Sequence, residues 1–191
     1  CNSACYKGIS KGLSYFHGYE IKLDYRLQDS PLISIIITVS IPDESIINSI
    51  KSVLKQSYTN WELIIIDFSL NNELKQKIEH YTKKDGRIKI FITSEINDKA
   101  AKNKAISIAN GKFINFLNIG FILFPYSLEI FARNISLISN NTKMIYGYIV
   151  KQDNVKWLKV SAGLSSAVVE KEALEKIVDF NMLSDINPEV E

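Results

Sequence analysis

Few side chains in this 191-residue chain are suited to chemistry, and their placement narrows what that chemistry can be. Cys1 and Cys5 lie at the extreme N-terminus with no His or Cys cluster at zinc-ligand spacing, so neither a disulfide framework nor a zinc site is expected. His17 and His80 have no partner at the spacing of a nucleophile and its base. Walker and dinucleotide glycine loops are absent from the sequence. What remains is a set of short stretches at the ends of apolar runs: Thr38 to Ile41, Asp67 to Asn71 and Leu117 to Phe121. Lys99, Lys102 and Lys104 form a cationic group, and Asp185, Glu189 and Glu191 are late carboxylates. A carboxylate that ends a buried strand either meets a ligand or caps the next turn. Three lysines on a short helix either neutralise an anion or form its solvated face.

The elements that must position these groups alternate. Ile33 to Val39 is a continuous β-branched run, the pattern of a strand buried on both faces. Glu44 to Gln56 follows with helical spacing, Asp43 as its N-cap, and Ile46, Ile47, Ile50, Val53 and Leu54 on one stripe. Glu62 to Asp67 predicts a second buried strand, Asn72 to Lys83 a helix facing inward through Leu74, Ile78 and Tyr81, and Ile88 to Ile92 a third strand after an Asp85-Gly86 turn. Ala100 to Ala109 predicts a short helix stopped by Asn110-Gly111 as a left-handed cap, before a strand over Lys112 to Leu117. Pro125 opens a fourth helix with Leu128, Phe131, Ala132 and Ile135 inward. Met144 to Val150 and Val155 to Val160 are expected to pair as a hairpin across Asp153-Asn154, an antiparallel addition to a mostly parallel sheet. The fold class predicted is α/β, doubly wound with helices on both faces, and its ligand site lies beyond the carboxyl ends of the strands. Residues 1–30 read as an irregular arm or the remnant of a preceding segment, and 31–191 as one domain.

Composition agrees with a globular domain: 46% of residues are hydrophobic, 23% are charged, and the net charge is +2 with both signs interspersed. No basic patch supports nucleic-acid binding. The most apolar stretch, Phe113 to Phe131, is interrupted by Asn115, Asn118, Gly120, Pro125 and Glu129, so no transmembrane helix is predicted.

At the strand ends and their flanks the chain resembles the family-two glycosyltransferases. The matching pieces are Pro31 to Val39, Ser52 to Asp67, Asp85 to Ile88, Ala101 to Ala105, Ala109 to Ile114 and Leu123 to Leu128, in that order, with a later match from Ser166 to Leu174. The resemblance implies a GT-A-type nucleotide-sugar-binding domain and sugar transfer to a glycan or glycoconjugate in polysaccharide biosynthesis. It also implies a cytoplasmic location, at most at the cytoplasmic face of a membrane. Donor contacts are expected at Thr38, Val39, Ser40, Asp67 and Lys102, with Asp67 towards the base and Lys102 where the family often has Arg. Asp185 and Glu189 are the candidates for the general base, since the family's Glu-Asp doublet after Phe180 is absent.

The sequence departs from the family where a metal is usually held. An acidic pair follows strand two in the family, and here Asp67 is followed by Phe68. The family's Leu-Asp-x-Asp-Asp is here Leu117-Asn-Ile-Gly-Phe121, so Asn118 and Gly120 stand where acids are expected. Divalent cations bridging a diphosphate are normally held by carboxylates. No metal is therefore expected in the usual mode, and Mg²⁺ or Mn²⁺ only with ligands from elsewhere. Phe121 to Phe124 would make this rim apolar, as a contact surface or by packing on the next helix. The second reading is a catalytically degenerate domain acting as a binding or scaffolding module beside other domains of a longer chain. A third is a nucleotide-binding α/β domain of another chemistry.

Overall fold

The computed structural model describes residues 13–16, 19–22, 30–94, 97–137, 144–146, 149–152, 157–160 and 167–176. Cys1, Cys5, His17, the Asp153-Asn154 turn, Phe180, Asp185, Glu189 and Glu191 lie outside them. Strands β1 (Leu13–Phe16) and β2 (Tyr19–Lys22) pair with each other as a two-stranded sheet. The remaining elements are β3 (Ile33–Val39), α1 (Ile46–Leu54), β4 (Trp61–Asp67), α2 (Asn72–Lys84), β5 (Ile88–Ile92), α3 (Asp98–Ile108), β6 (Phe113–Phe116) and α4 (Ser127–Leu137). They are followed by β7 (Met144–Tyr146), β8 (Ile149–Gln152), β9 (Trp157–Val160), β10 (Ala167–Glu170) and α5 (Lys171–Glu175).

The central sheet has six strands in the order β5-β4-β3-β6-β10-β7. β5, β4, β3 and β6 are parallel, and β10 runs against both β6 and β7. The predicted antiparallel hairpin exists only in part: Ile149–Gln152 pairs with Trp157–Val160, whereas Met144–Tyr146 joins the main sheet beside β10.

Alternation of side chains along the buried strands divides the core in two. Ile35, Ile37, Val39, Leu63 and Ile65 pack with Ile46, Ile50 and Val53 of α1 and with Leu74 and Ile78 of α2. Ile36, Ile64, Ile66 and Phe116 pack on the opposite face with Ala101, Ala105 and Ile106 of α3. Ala101 and Ala105 of α3 are fully buried against the sheet, where small side chains permit close approach.

Several helix boundaries differ from expectation: α4 starts at Ser127, two residues after Pro125, and at the starts of α1 and α3 a polar side chain takes a different partner. Asp43 does not cap α1. Its Oδ1 accepts from the Ser45 amide at 2.8 Å, and the helix starts at Ile46. α3 begins at Asp98, two residues earlier than Ala100, because Asn97 is a true N-cap whose Oδ1 accepts from the Ala100 amide at 2.7 Å. Its C-terminus lacks the left-handed cap: Ala109 is extended with φ −67° and ψ 134°, and Gly111 is not at positive φ. Gly111 is needed for a different reason, because a Cβ there would lie 2.5 Å from Ser34 Oγ and 2.7 Å from Ser34 N.

Candidate functional site

The chain leaves β3 towards β4 and β5, then returns through α3 to place β6 on the other side of β3. The order therefore reverses between β3 and β6, and by topology the crevice in which an open α/β sheet usually takes its ligand lies beyond their carboxyl ends. The register puts Ile36 beside Phe116, and the Leu117 amide donates to Ile36 O at 2.9 Å. Thr38 to Ile41 and Leu117 to Phe121 consequently form the two lips, with Asp67 on the strand beside Val39.

On the α3 side, Thr38 Oγ1 donates to Asp98 Oδ1 at 2.5 Å, and Lys102 Nζ meets Asp98 Oδ2 at 2.5 Å. The Lys102 side chain is 21% exposed, and its ammonium lies 5.9 Å from the Phe116 ring centroid. Thr38 and Lys102, both expected at the site, are thus joined through a carboxylate that the sequence reading did not select. The signal was present as the i, i+4 spacing of Asp98 and Lys102, but it carries meaning only when Asp98 is in the helix. Lys104 Nζ donates to Thr93 Oγ1 at 3.3 Å.

Asp67 sits on the opposite face, since Val39 and Asp67 are register partners while Thr38 pairs with Ile66. It is 1% exposed. Its Oδ1 accepts from the Ser69 amide at 2.9 Å and from Ser69 Oγ at 2.7 Å, closing the turn after β4. Both bonds fall on one oxygen and leave Oδ2 as a further acceptor. In the same loop Leu70 has φ 55°, the one non-glycine positive φ among the described residues. The Val39 side chain is fully buried and its carbonyl takes the Phe68 amide at 3.0 Å, while Ser40 is exposed.

The second lip is fixed by α1. The Gly120 amide donates to Ser49 Oγ at 3.1 Å and the Leu123 amide to Ser52 Oγ at 3.1 Å. Gln56 Nε2 donates to Phe124 O at 2.8 Å, and Gln56 Oε1 accepts from the Leu128 amide at 3.0 Å. The Ser57 amide reaches Pro125 O at 2.8 Å. Side chains of α1 and groups of the two polar residues just beyond it therefore satisfy the backbone of a loop that has no ladder of its own. Leu123 is buried, whereas Phe121, Ile122 and Phe124 are exposed, so this rim is apolar.

Among the described residues, the acids at this edge are not grouped as ligands of a divalent cation. Asp43, Asp67 and Asp98 each serve a separate partner, and among the described residues no group of three His, Cys, Asp or Glu side chains could hold a metal. Gly120 is at φ 81°, and a Cβ on it would lie 3.2 Å from Ser45 Oγ. The position is thus occupied by a turn that needs glycine. Gly120→Asp is expected to cost about 1 to 2 kcal/mol by forcing a side chain into the left-handed region. Thermal unfolding would show that loss, and titration with Mn²⁺ would show no gain in metal affinity.

A mostly parallel sheet with a reversed strand order and an antiparallel β10 is an architecture shared with GT-A-type domains. Its solved neighbours have the same fold. The 1–349 chain of S. aureus TarS in complex with UDP aligns with a TM-score of 0.62 at 17% identity over 75% of this chain and 48% of that chain. The mannosyltransferase PcManGT from Pyrobaculum calidifontis, in complex with GDP-Man and Mn²⁺, aligns with a TM-score of 0.54 at 11% identity over 65% of this chain and 37% of its own. The chain belongs to glycosyl transferase family 2, whose model matches residues 34–162. Among sequence relatives, the UDP-Glc:α-D-GlcNAc-diphosphoundecaprenol β-1,3-glucosyltransferase WfgD of Escherichia coli is 37% identical over 120 residues, 62% of this chain and 46% of WfgD. The chain spans less than half the length of the curated relatives it matches. Among the described residues no helix is long and apolar enough to cross a membrane.

Proposed function

We propose that this chain is the donor-binding domain of a glycosyltransferase that moves a sugar from a nucleoside-diphosphate sugar to a hydroxyl of a glycan or glycoconjugate, without a chelated divalent cation. The observation that supports the reading is the reversal of strand order between β3 and β6 in a family-two sheet, with the partly buried Lys102 and the buried Asp67 near the carboxyl ends of its strands. Asp67 Oδ2 would accept from the base edge, Ser40 would meet the donor through its exposed side chain and Val39 through its backbone, and Lys102 would sit against the diphosphate. The ammonium would stabilise charge on the leaving nucleoside diphosphate as the anomeric carbon bonds to the acceptor oxygen and its bond to the phosphate oxygen breaks. The acceptor proton passes to a carboxylate, for which Asp185 and Glu189 are the candidates.

WfgD is named for a UDP-Glc donor and a diphosphoundecaprenol-linked acceptor. Together with the exposed Phe121, Ile122 and Phe124, this favours a UDP-sugar and a lipid-linked glycan acceptor at a cytoplasmic membrane face. The test is transfer from UDP-glucose to a GlcNAc-diphospho-polyprenol acceptor by the full-length protein, in EDTA and in Mn²⁺. The reading expects transfer in both. Saturable UDP-glucose binding without transfer to any glycan acceptor would instead make the chain a binding module.

A further inference from the structure

We propose that Asp98 is a positioning residue for the donor: it holds the Lys102 ammonium and the Thr38 hydroxyl at the mouth of the crevice in the arrangement that meets a nucleoside diphosphate. The inference rests on the reading that Lys102 contacts the diphosphate, and adds the residue that makes that lysine effective.

A lysine side chain is long and flexible, and each rotor frozen on binding weakens the complex. Lys102 is not left to sample those rotors. Asp98 takes its ammonium on Oδ2 at 2.5 Å and the Thr38 hydroxyl on Oδ1 at 2.5 Å, so one carboxylate ties the second turn of α3 to the end of β3. The Phe116 ring, at the end of β6, lies under the same ammonium at 5.9 Å. Three elements that border the crevice thus converge on Lys102. Asp98 itself is fixed by its place at the start of α3, next to the Asn97 cap, where a carboxylate is favoured by the helix dipole. A lysine lacks the fixed fork of an arginine, and here the neighbouring carboxylate supplies the missing orientation.

Asp98 could instead act as a negative charge that repels the diphosphate, and the two roles predict opposite signs. The experiment is a double-mutant cycle in the full chain, with UDP binding read by calorimetry for the wild type, Asp98→Asn, Lys102→Met and the pair. Positioning predicts that Asp98→Asn and Lys102→Met each weaken UDP binding by about tenfold, and that the pair is no weaker than Lys102→Met alone. Asp98→Glu, which still reaches Lys102, is expected to stay within about threefold of the wild type, a rescue that also serves if Asp98→Asn does not fold. Tighter UDP binding by Asp98→Asn, no change in it, or additive losses in the pair would each overturn the positioning role while leaving Lys102 as a diphosphate contact. No loss in Lys102→Met would overturn the underlying reading of the site, and with it this one.

Discussion

Replacing Glu62 by Gln is expected to destabilise the folded chain by about 2 to 3 kcal/mol at neutral pH, with most of that difference gone near pH 2.5. Glu62 is 5% exposed at the amino-terminal edge of the sheet, opposite the crevice. Its Oε1 accepts from Ser34 Oγ at 2.8 Å and from the Asn110 amide at 2.6 Å, and its Oε2 accepts from Lys89 Nζ at 2.9 Å and Asn110 Nδ2 at 3.1 Å. Burial alone would raise its pKa, but Lys89, the Asn110 amide, Ser34 and the Asn110 side chain together outweigh it and hold the carboxyl at about 2, down from 4.5. Because the folded pKa lies below the unfolded one, the contribution is complete above about pH 4.5 and is lost as pH falls towards 2. Partial exposure of Lys89 keeps the figure at the lower end of what the shift alone would give. Chemical denaturation of the wild type and Glu62→Gln between pH 7 and pH 2.5 would check this; a gap that does not narrow with acid would show that Glu62 is held by packing and not by charge.

Gly111→Ala is expected to cost about 3 kcal/mol, the upper range for forcing an extra methyl into a packed site. The new Cβ would fall 2.5 Å from Ser34 Oγ, 2.7 Å from Ser34 N and 2.8 Å from Leu32 O, and two of those three are backbone atoms that cannot rotate away. It would also disturb the Gly111 amide, which donates to Ser34 Oγ at 2.9 Å and so extends the Glu62 network to the connection before β6. Gly86→Ala is the matched control, because nothing lies within 4 Å of a Cβ there, and its stability should change by less than about 0.5 kcal/mol. Thermal unfolding should separate the two by roughly 6 to 12 °C for a domain of this size. Equal melting temperatures would mean that β3 and the Asn110-Gly111 connection give way easily.

The sheet was legible because its strands are buried on both faces. A run such as Ile33 to Val39 leaves little choice of secondary structure, and the helical stripes of α1 and α2 are equally direct. What could not be read was which partner a short polar side chain takes. Asp43 and Asn97 are both plausible caps by type; one folds back on a turn and the other caps a helix, and that choice moved the start of α3 by two residues. The shift hid Asp98, whose relation to Lys102 exists only on a helix. Gly111 was chosen correctly as special but for the wrong cause, since close approach to β3 is a property of tertiary packing and a left-handed cap is a local one. The strand over Met144 to Val150 was split for a similar reason: pairing with β10 is a long-range choice that no local turn signal encodes. At the site, the missing acids at Asn118 and Gly120 were visible in the sequence, whereas the dependence of that turn on a positive φ was not.

On the proposed function, the donor diphosphate is met by Lys102 and not by a chelated metal. Calorimetric titration of UDP into the full chain, once in EDTA and once in Mn²⁺, tests it most directly, with Asp67→Ala as the control for occupancy of the crevice. Dissociation constants are expected to agree within about threefold in the two conditions and to weaken by about tenfold or more in Asp67→Ala. Binding that requires Mn²⁺ and vanishes in EDTA would contradict it, and would mean that carboxylates outside the described residues complete a metal site.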